Sequence, residues 1–216
     1  MFILIRHGES VANVAKDNSD GKDTDLTPLG LEQATKLKPI LAKYFAIDFV
    51  FSSPALRCLK TAAACTDMPA AVLEDIYELS NGVLDGVKTE DIAKIPTVGK
   101  KLAKIMEMDK DRTKLDMIFD KRTIANHKRF EQLCKGESDY PARLARAVRL
   151  AKSYTDRGKN LLFVTHGGVI NGVISHMFDM HRFANNSAPN CSISVIDMKK
   201  KQLLLHRYDA VKAAKK

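Results

Sequence analysis

The chain has no tryptophan, only 6% aromatic residues, and no stretch of proline, glycine or serine dense enough to act as a linker. Sparse aromatics leave little on which bases could stack, and there is no helix-turn-helix, zinc-finger or RNP-type signature, so nucleic-acid recognition is not expected. Without a linker, the 216 residues are read as one domain, long enough to bury a substantial core. No apolar run approaches the roughly 20 residues a membrane-spanning helix needs, so no membrane partner is expected. The first apolar run begins at residue 2 with no basic segment or small-residue cleavage site before it, which argues against a secretory leader. Cys58, Cys65, Cys134 and Cys191 show neither CxxC nor metal-ligand spacing, and free thiols in a reducing cytoplasm are predicted.

The net charge of +9 is uneven: between Gly99 and Lys135 there are eleven Lys and Arg against six Asp and Glu. This run could steer an anion, although a solvated helical face explains it as simply.

Four apolar runs read as strands: Phe2-Ile3-Leu4-Ile5, Phe49-Val50-Phe51, Ala71-Val72-Leu73 and Leu161-Leu162-Phe163-Val164. Helical patterns alternate with them. Thr27-Pro28 caps one, with a stripe of Leu29, Ala34, Leu37, Leu41 and Tyr44 and a proline, Pro39, inside it. Ser52-Ser53-Pro54 repeats the cap-then-proline signal and launches a helix with Arg57 in its first turn. Leu144, Ala147, Val148 and Ala151 mark a third helix, whose Arg143, Arg146 and Arg149 are assigned to a solvated face. Asn13 to Asp25 reads as loop, Thr89 to Gln132 as helices broken near Pro96 and Gly99, and Ser192–Asp197 with Gln202–His206 as a closing hairpin. Alternating strands and helices predict an α/β fold with a mostly parallel sheet covered on both faces.

Two strands end in histidine. Arg6-His7-Gly8-Glu9-Ser10 follows the first and Thr165-His166-Gly167-Gly168 the last of the four, before a helix from about Gly168 to Met177. Ligands of open α/β sheets bind outside the carboxyl ends of the strands, so both imidazoles are expected to face one pocket. Arg6 and Arg57 can grip a phosphate through planar forks, a neutral imidazole can attack phosphorus, and a helix starting after His166 offers backbone N–H groups to the same anion. The leaving alkoxide needs a proton donor, for which Glu78 is the candidate and Glu74 and Asp75 its rivals. His127, His176, His181 and His206 are left as structural.

Arg6-His7-Gly8-Glu9-Ser10 with Asn13 resembles the signature of the histidine phosphatase superfamily, in its phosphoglycerate mutase-like branch. Asp25-Leu26-Thr27-Pro28-Leu29-Gly30, Ser52-Ser53-Pro54-Ala55-Leu56-Arg57, Gly136-Glu137-Ser138, Thr165-His166-Gly167-Gly168 and Asn190-Cys191-Ser192-Ile193 resemble further blocks in the same order. The resemblance implies a three-layer α/β/α sandwich with a helical insert at about 88–137 acting as a lid. It implies that His7 is phosphorylated, that Arg6, Arg57 and His166, with Asn13 and Gly167, hold the phosphate, and that Glu78 donates the proton. It calls for no metal and no cofactor.

Cofactor-dependent phosphoglycerate mutases usually carry an Arg-His-Tyr-type run after the acidic residue and Gly-Asn-Ser after the second histidine. Leu79-Ser80-Asn81 and Gly167-Gly168-Val169 stand there instead, closer to the phosphatase side. The expectation is therefore a phosphomonoesterase acting on a small phosphate ester, with a mutase or a catalytically idle phospholigand-binding protein as alternatives. Substrate identity and oligomeric state stay open at this level, a homodimer included.

Overall fold

The computed structural model describes residues 1–15, 24–80, 82–85, 87–108, 132–134, 138–178 and 188–213. Six strands form one sheet in the order β3-β2-β4-β1-β5-β6: β1 (Phe2–Arg6), β2 (Phe49–Ser52), β3 (Ala70–Val72), β4 (Leu161–Thr165), β5 (Ile193–Asp197) and β6 (Gln202–Tyr208). Pairings among β1 to β4 are parallel, and β5 runs antiparallel to both its neighbours, β1 and β6. Strand β3 starts and ends one residue earlier than its apolar run suggests.

The alternation of side chains along β1 divides the core in two. Ile3 and Ile5 face α2 (Pro28–Tyr44), α3 (Leu56–Cys65) and the short C-terminal helix Ala210–Ala213, meeting Leu37, Leu41, Ala62 and Ala210. Phe2 and Leu4 point the other way, onto Leu144, Ala147, Val169 and Val173 of helices Tyr140–Thr155 and Gly167–Phe178. Helices thus cover both faces, the three-layer arrangement expected. A third cluster of Leu84, Ile92, Leu102 and Cys134 shares no residue with the other two. It joins the 3-10 turn Thr89–Lys94 to α4 (Gly99–Met108). The expected break near Pro96 and Gly99 falls between these two elements: the turn at 95–98 separates them, and Gly99 opens α4.

Several local expectations are corrected. The stripe of α2 is Gly30, Ala34, Leu37 and Leu41, while Leu29 and Tyr44 are exposed: the helix packs on a narrower face than the apolar pattern allows. Helix α3 begins at Leu56 with Ala55 as cap, so Ser53 is not its N-cap. The segment expected to be loop from Asn13 opens inside a short helix, α1 (Val11–Ala15). Most of the basic run, residues 109–131, together with Gly136 and Glu137, lies outside the described residues.

Phe163 is fully buried between the edge-on rings of Phe2 and Phe51, with centroids at 4.7 and 5.4 Å. Phe163→Ala is expected to cost about 3–5 kcal/mol, because close-packed walls on both sides limit collapse into the space left. Urea unfolding monitored by circular dichroism measures it.

Candidate active site

Parallel pairing of β1 with β4 sets Arg6 opposite Thr165, and the His7 N–H continues the ladder by donating to the Thr165 carbonyl at 2.9 Å. The next residue of each chain segment is then at the same edge: His7 and His166, with ring centroids 5.3 Å apart. The two sequence-distant imidazoles do meet.

The loop after β1 is held from several sides. Gly8 N–H donates to Thr61 Oγ1 of α3 at 3.0 Å, and Glu9 N–H donates to Gln33 Oε1 of α2 at 2.9 Å. A Cβ at Gly8 would lie 2.3 Å from the Gly30 carbonyl oxygen, so helix α2 and this loop approach at a distance only glycine permits. On the far side Cys191 adopts a left-handed φ of 56°, and its N–H reaches the carbonyls of Arg6 and His7 at 3.1 and 3.3 Å. Asn190 Nδ2 donates to the His7 carbonyl at 3.1 Å and to Asn13 Oδ1 at 3.0 Å.

His7 is 4% exposed. Its Nδ1 lies 2.7 Å from the Gly8 carbonyl, which can only accept, so Nδ1 carries the proton and Nε2 the lone pair. Burial and the charges of Arg6 and Arg57 hold its pKa well below the usual histidine value. His166 is completely buried and shifted the same way, by burial, then by His7, Arg57 and Arg6. Arg57, the second residue of α3 and 3% exposed, directs NH2 at His166 Nδ1 from 3.2 Å. A guanidinium can only donate, so His166 Nδ1 accepts and Nε2 holds the proton, which it donates to Ser53 Oγ at 2.8 Å. Ser53, read from sequence as a helix cap, instead serves as the partner of the His166 ring. The Cys58 thiol packs 3.4 Å from the same nitrogen.

Arg6 donates from NH1 to the Ala188 carbonyl at 2.5 Å, and its charge reaches both imidazoles. Asn13 Oδ1 accepts from Ser10 N–H at 3.2 Å as well as from Asn190, which turns the Asn13 amide N–H groups away from these donors.

Glu78 is the carboxylate that the fold delivers. Its Oε2 accepts from Gly168 N–H at 3.3 Å, at the start of the helix that follows His166, and its Oε1 from Leu79 N–H at 3.0 Å. That helix terminus therefore gives this N–H to a carboxylate and not directly to a bound anion. Of the rivals, Asp75 pairs with Arg146, both Nε and NH2 reaching Oδ1, at 3.0 and 2.7 Å, and Glu74 is exposed. Arg143 overturns its assignment to a solvated face: it is 8% exposed and its NH1 donates to the carbonyls of Asp75 and Tyr77. The signal available was its spacing, three residues from Tyr140 and one from Leu144 on the buried side of the helix.

A parallel sheet with two neutral imidazoles, two arginines and a carboxylate at its carboxyl edge belongs with enzymes that act on phosphate esters. The family model of the histidine phosphatase superfamily, branch 1, matches residues 2–104 and 107–210, and the chain belongs to that superfamily. Over 218 aligned residues it is 27% identical to the broad-specificity phosphatase YOR283W of Saccharomyces cerevisiae, an alignment covering 95% of this chain and 84% of that one. The phosphoglycerate mutase of Bacillus anthracis superposes with a TM-score of 0.73 at 17% identity, over 100% of this chain and 96% of the other. A phosphoserine phosphatase of Entamoeba histolytica, in complex with phosphoserine, gives 0.69 at 22% identity, over 96% of each. At these identities the two structures speak to the fold. The family and the phosphatase relative identify the chain as a phosphoric monoester hydrolase.

Both histidines are held neutral by burial, which ties stability to pH. An unfolded chain protonates them near pH 6.5, whereas the folded chain, with lowered values, does not. Stability from these groups is complete above about pH 6.5 and drains away as pH falls from there toward the folded values. Wild type is expected to lose more unfolding free energy between about pH 7 and 5.5 than His7→Gln does. Equal losses in urea titrations would mean His7 is not held neutral.

A Cβ on Gly168 would lie 2.4 Å from Glu78 Oε1. Because the carboxylate is the end of a flexible side chain, Gly168→Ala is expected to fold normally yet displace Glu78, lowering kcat/KM for alkyl phosphates about tenfold or more. Steady-state kinetics alongside a melting curve separates the two effects.

Proposed function

We propose that the protein hydrolyses small phosphate monoesters through a phosphohistidine on His7, with Glu78 as acid and then base. The observation that carries this reading is the convergence of neutral His7 Nε2, the Arg57–His166 pair and the Glu78 carboxylate at one edge of the sheet.

Arg6 and Arg57 supply the positive charge that a phosphate dianion requires, and Asn13 adds amide donors from the loop side. His7 Nε2 attacks phosphorus, the P–N bond forming as the P–O ester bond breaks. The departing alkoxide takes the proton of Glu78. His7 Nδ1–H stays on the Gly8 carbonyl throughout, which fixes the ring and shares the charge it gains on phosphorylation. Water then attacks the phosphohistidine. Its proton passes to Glu78 carboxylate, the P–N bond breaks, and inorganic phosphate leaves.

His166 changes part between the empty and loaded pockets. In the empty pocket it accepts from Arg57 and is neutral. An arriving dianion draws Arg57 NH2 from His166 Nδ1 and offsets the positive charge that, after burial, disfavours protonation there, so the vacated Nδ1 takes a proton and His166 joins the cations around the phosphate. Gly167 opens the helix beside it.

The segment at about 88–137 is read as a lid that selects among leaving groups; its separate apolar cluster supports that reading. The absence, among described residues, of a helix long and apolar enough to cross a membrane is compatible with a cytoplasmic enzyme. The test is a panel of sugar phosphates, phosphoglycolate, phosphoserine, nucleotides and 3-phosphoglycerate, each assayed for released phosphate with wild type and His7→Ala. Wild type is expected to turn over several members and His7→Ala to lose about a thousandfold or more while remaining folded, since removing a nucleophile forfeits the covalent route. Isomerised product without phosphate release would favour a mutase, and tight ester binding without turnover a binding protein.

A further inference from the structure

Helix Tyr140–Thr155, whose Arg143 also adds to the positive charge felt by His166, grips the Glu78 loop from both sides. Arg143 is buried, and its NH1 donates to the carbonyls of Asp75 at 2.9 Å and Tyr77 at 2.6 Å, while NH2 lies 3.5 Å from the carbonyl of Glu78 itself. Three carbonyls of one four-residue segment, the last belonging to the residue that bears the carboxylate, thereby face a single guanidinium. One helical turn before Arg143, the Tyr140 ring lies under that guanidinium at 5.1 Å, and its hydroxyl donates to the Gly168 carbonyl at 2.8 Å. Gly168 N–H is the group that binds Glu78 Oε2. Backbone and carboxylate of Glu78 are thus both referred to one helix.

We propose that Arg143 is a positioning residue for the proton donor: it fixes the backbone of residues 75–78 so that the Glu78 carboxyl stays at the start of the helix beside His166. The inference rests on Glu78 being the acid. The physical argument is one of number and rigidity. A loop carbonyl set against water exchanges partners freely, whereas several carbonyls on one buried, planar, permanently charged fork are locked relative to one another. Lysine offers a point charge on a flexible stem and cannot span the same oxygens in one plane. Losing the fork leaves the helix and sheet in place but lets the acid wander, and displacements of about an ångström cost on the order of a hundredfold when a reacting group is involved.

Leaving-group dependence tells a misplaced acid from general damage. kcat/KM reports the steps up to phosphoenzyme formation, in which an alkyl ester needs a proton from Glu78 and p-nitrophenyl phosphate does not. The experiment compares wild type, Glu78→Gln, Arg143→Met, Arg143→Lys and the double variant Glu78→Gln/Arg143→Met on p-nitrophenyl phosphate and on β-glycerophosphate. Arg143→Met is expected to lose about tenfold or more beyond its loss on the nitrophenyl ester when assayed on the alkyl ester, within the range that general acids contribute. Arg143→Lys recovers part of that difference, and the double variant is no more discriminating than Glu78→Gln alone. Equal losses on both esters for Arg143→Met, or discrimination that multiplies in the double variant, would overturn the proposal while leaving Glu78 as the acid. Equal losses for Glu78→Gln would reject Glu78 and the proposal together. Should Arg143→Met fail to fold, Arg143→Lys is judged by the same ratio.

Discussion

The parallel register of β1 against β4 is the constraint on which the site depends. Arg6 lies opposite Thr165, and the ladder bond from His7 N–H to the Thr165 carbonyl closes the last rung before both strands stop. Side chains alternate along a strand, so sliding either strand by one residue would exchange the faces of Phe2, Ile3, Leu4 and Ile5 and send all four into the wrong layer. Two separate apolar clusters therefore enforce one register, and that register brings together imidazoles at positions 7 and 166. Packing energy spent throughout the core is what locates the chemistry.

Concentrating Arg6 and Arg57 around two buried rings has an electrostatic cost in the empty pocket, and the molecule meets it by keeping both rings uncharged. Tautomers are set by neighbours that can act in only one sense, a carbonyl at His7 and a guanidinium at His166, and the Ser53 hydroxyl accepts from the nitrogen left protonated. The outcome is a His7 ring with its lone pair already directed away from the backbone. A single dianion resolves the excess of positive charge, so the same arrangement that disfavours protons favours phosphate. Preorganised charge of this kind needs no rearrangement when the reaction begins.

Much of this was legible in the sequence, and the boundary is instructive. Strand ends are marked by a switch from apolar residues to Arg-His-Gly or Thr-His-Gly, and Arg57 lies two residues into a helix that a Ser-Ser-Pro run announces. Such signals are local. Arg143 was not legible, because charge is normally a guide to solvent and nothing nearby in sequence reveals the carbonyls of residues 75–78 waiting 65 to 68 positions away. Ser53 misled for a related reason. Serine before proline is a capping signal, but the hydroxyl is spent on His166, 113 residues later, and the cap passes to Ala55. Leu29 and Tyr44 show the opposite error: apolar residues at the right period on a helix whose contact with the sheet is narrower than its apolar stripe.

The parts of the site differ in how they are held. His7 and His166 are fixed by strands and by hydrogen bonds to β4, to the loop before β5 and to α3, none of which involves the segment that follows Glu78. Glu78 sits beyond β3 on a loop held by the helix Tyr140–Thr155, by Gly168 and by Thr165, whose Oγ1 donates to the Ile76 carbonyl at 2.6 Å. The carboxylate is thus tied to the same strand end, Thr165 to Gly168, that carries His166. Beyond Glu78, Leu84, Ile92, Leu102 and Cys134 form their own small core, which shares no residue with the clusters that hold the strand ends. A fold built this way can vary the segment beyond Glu78 while the strand ends stay fixed, because the two are packed into different cores.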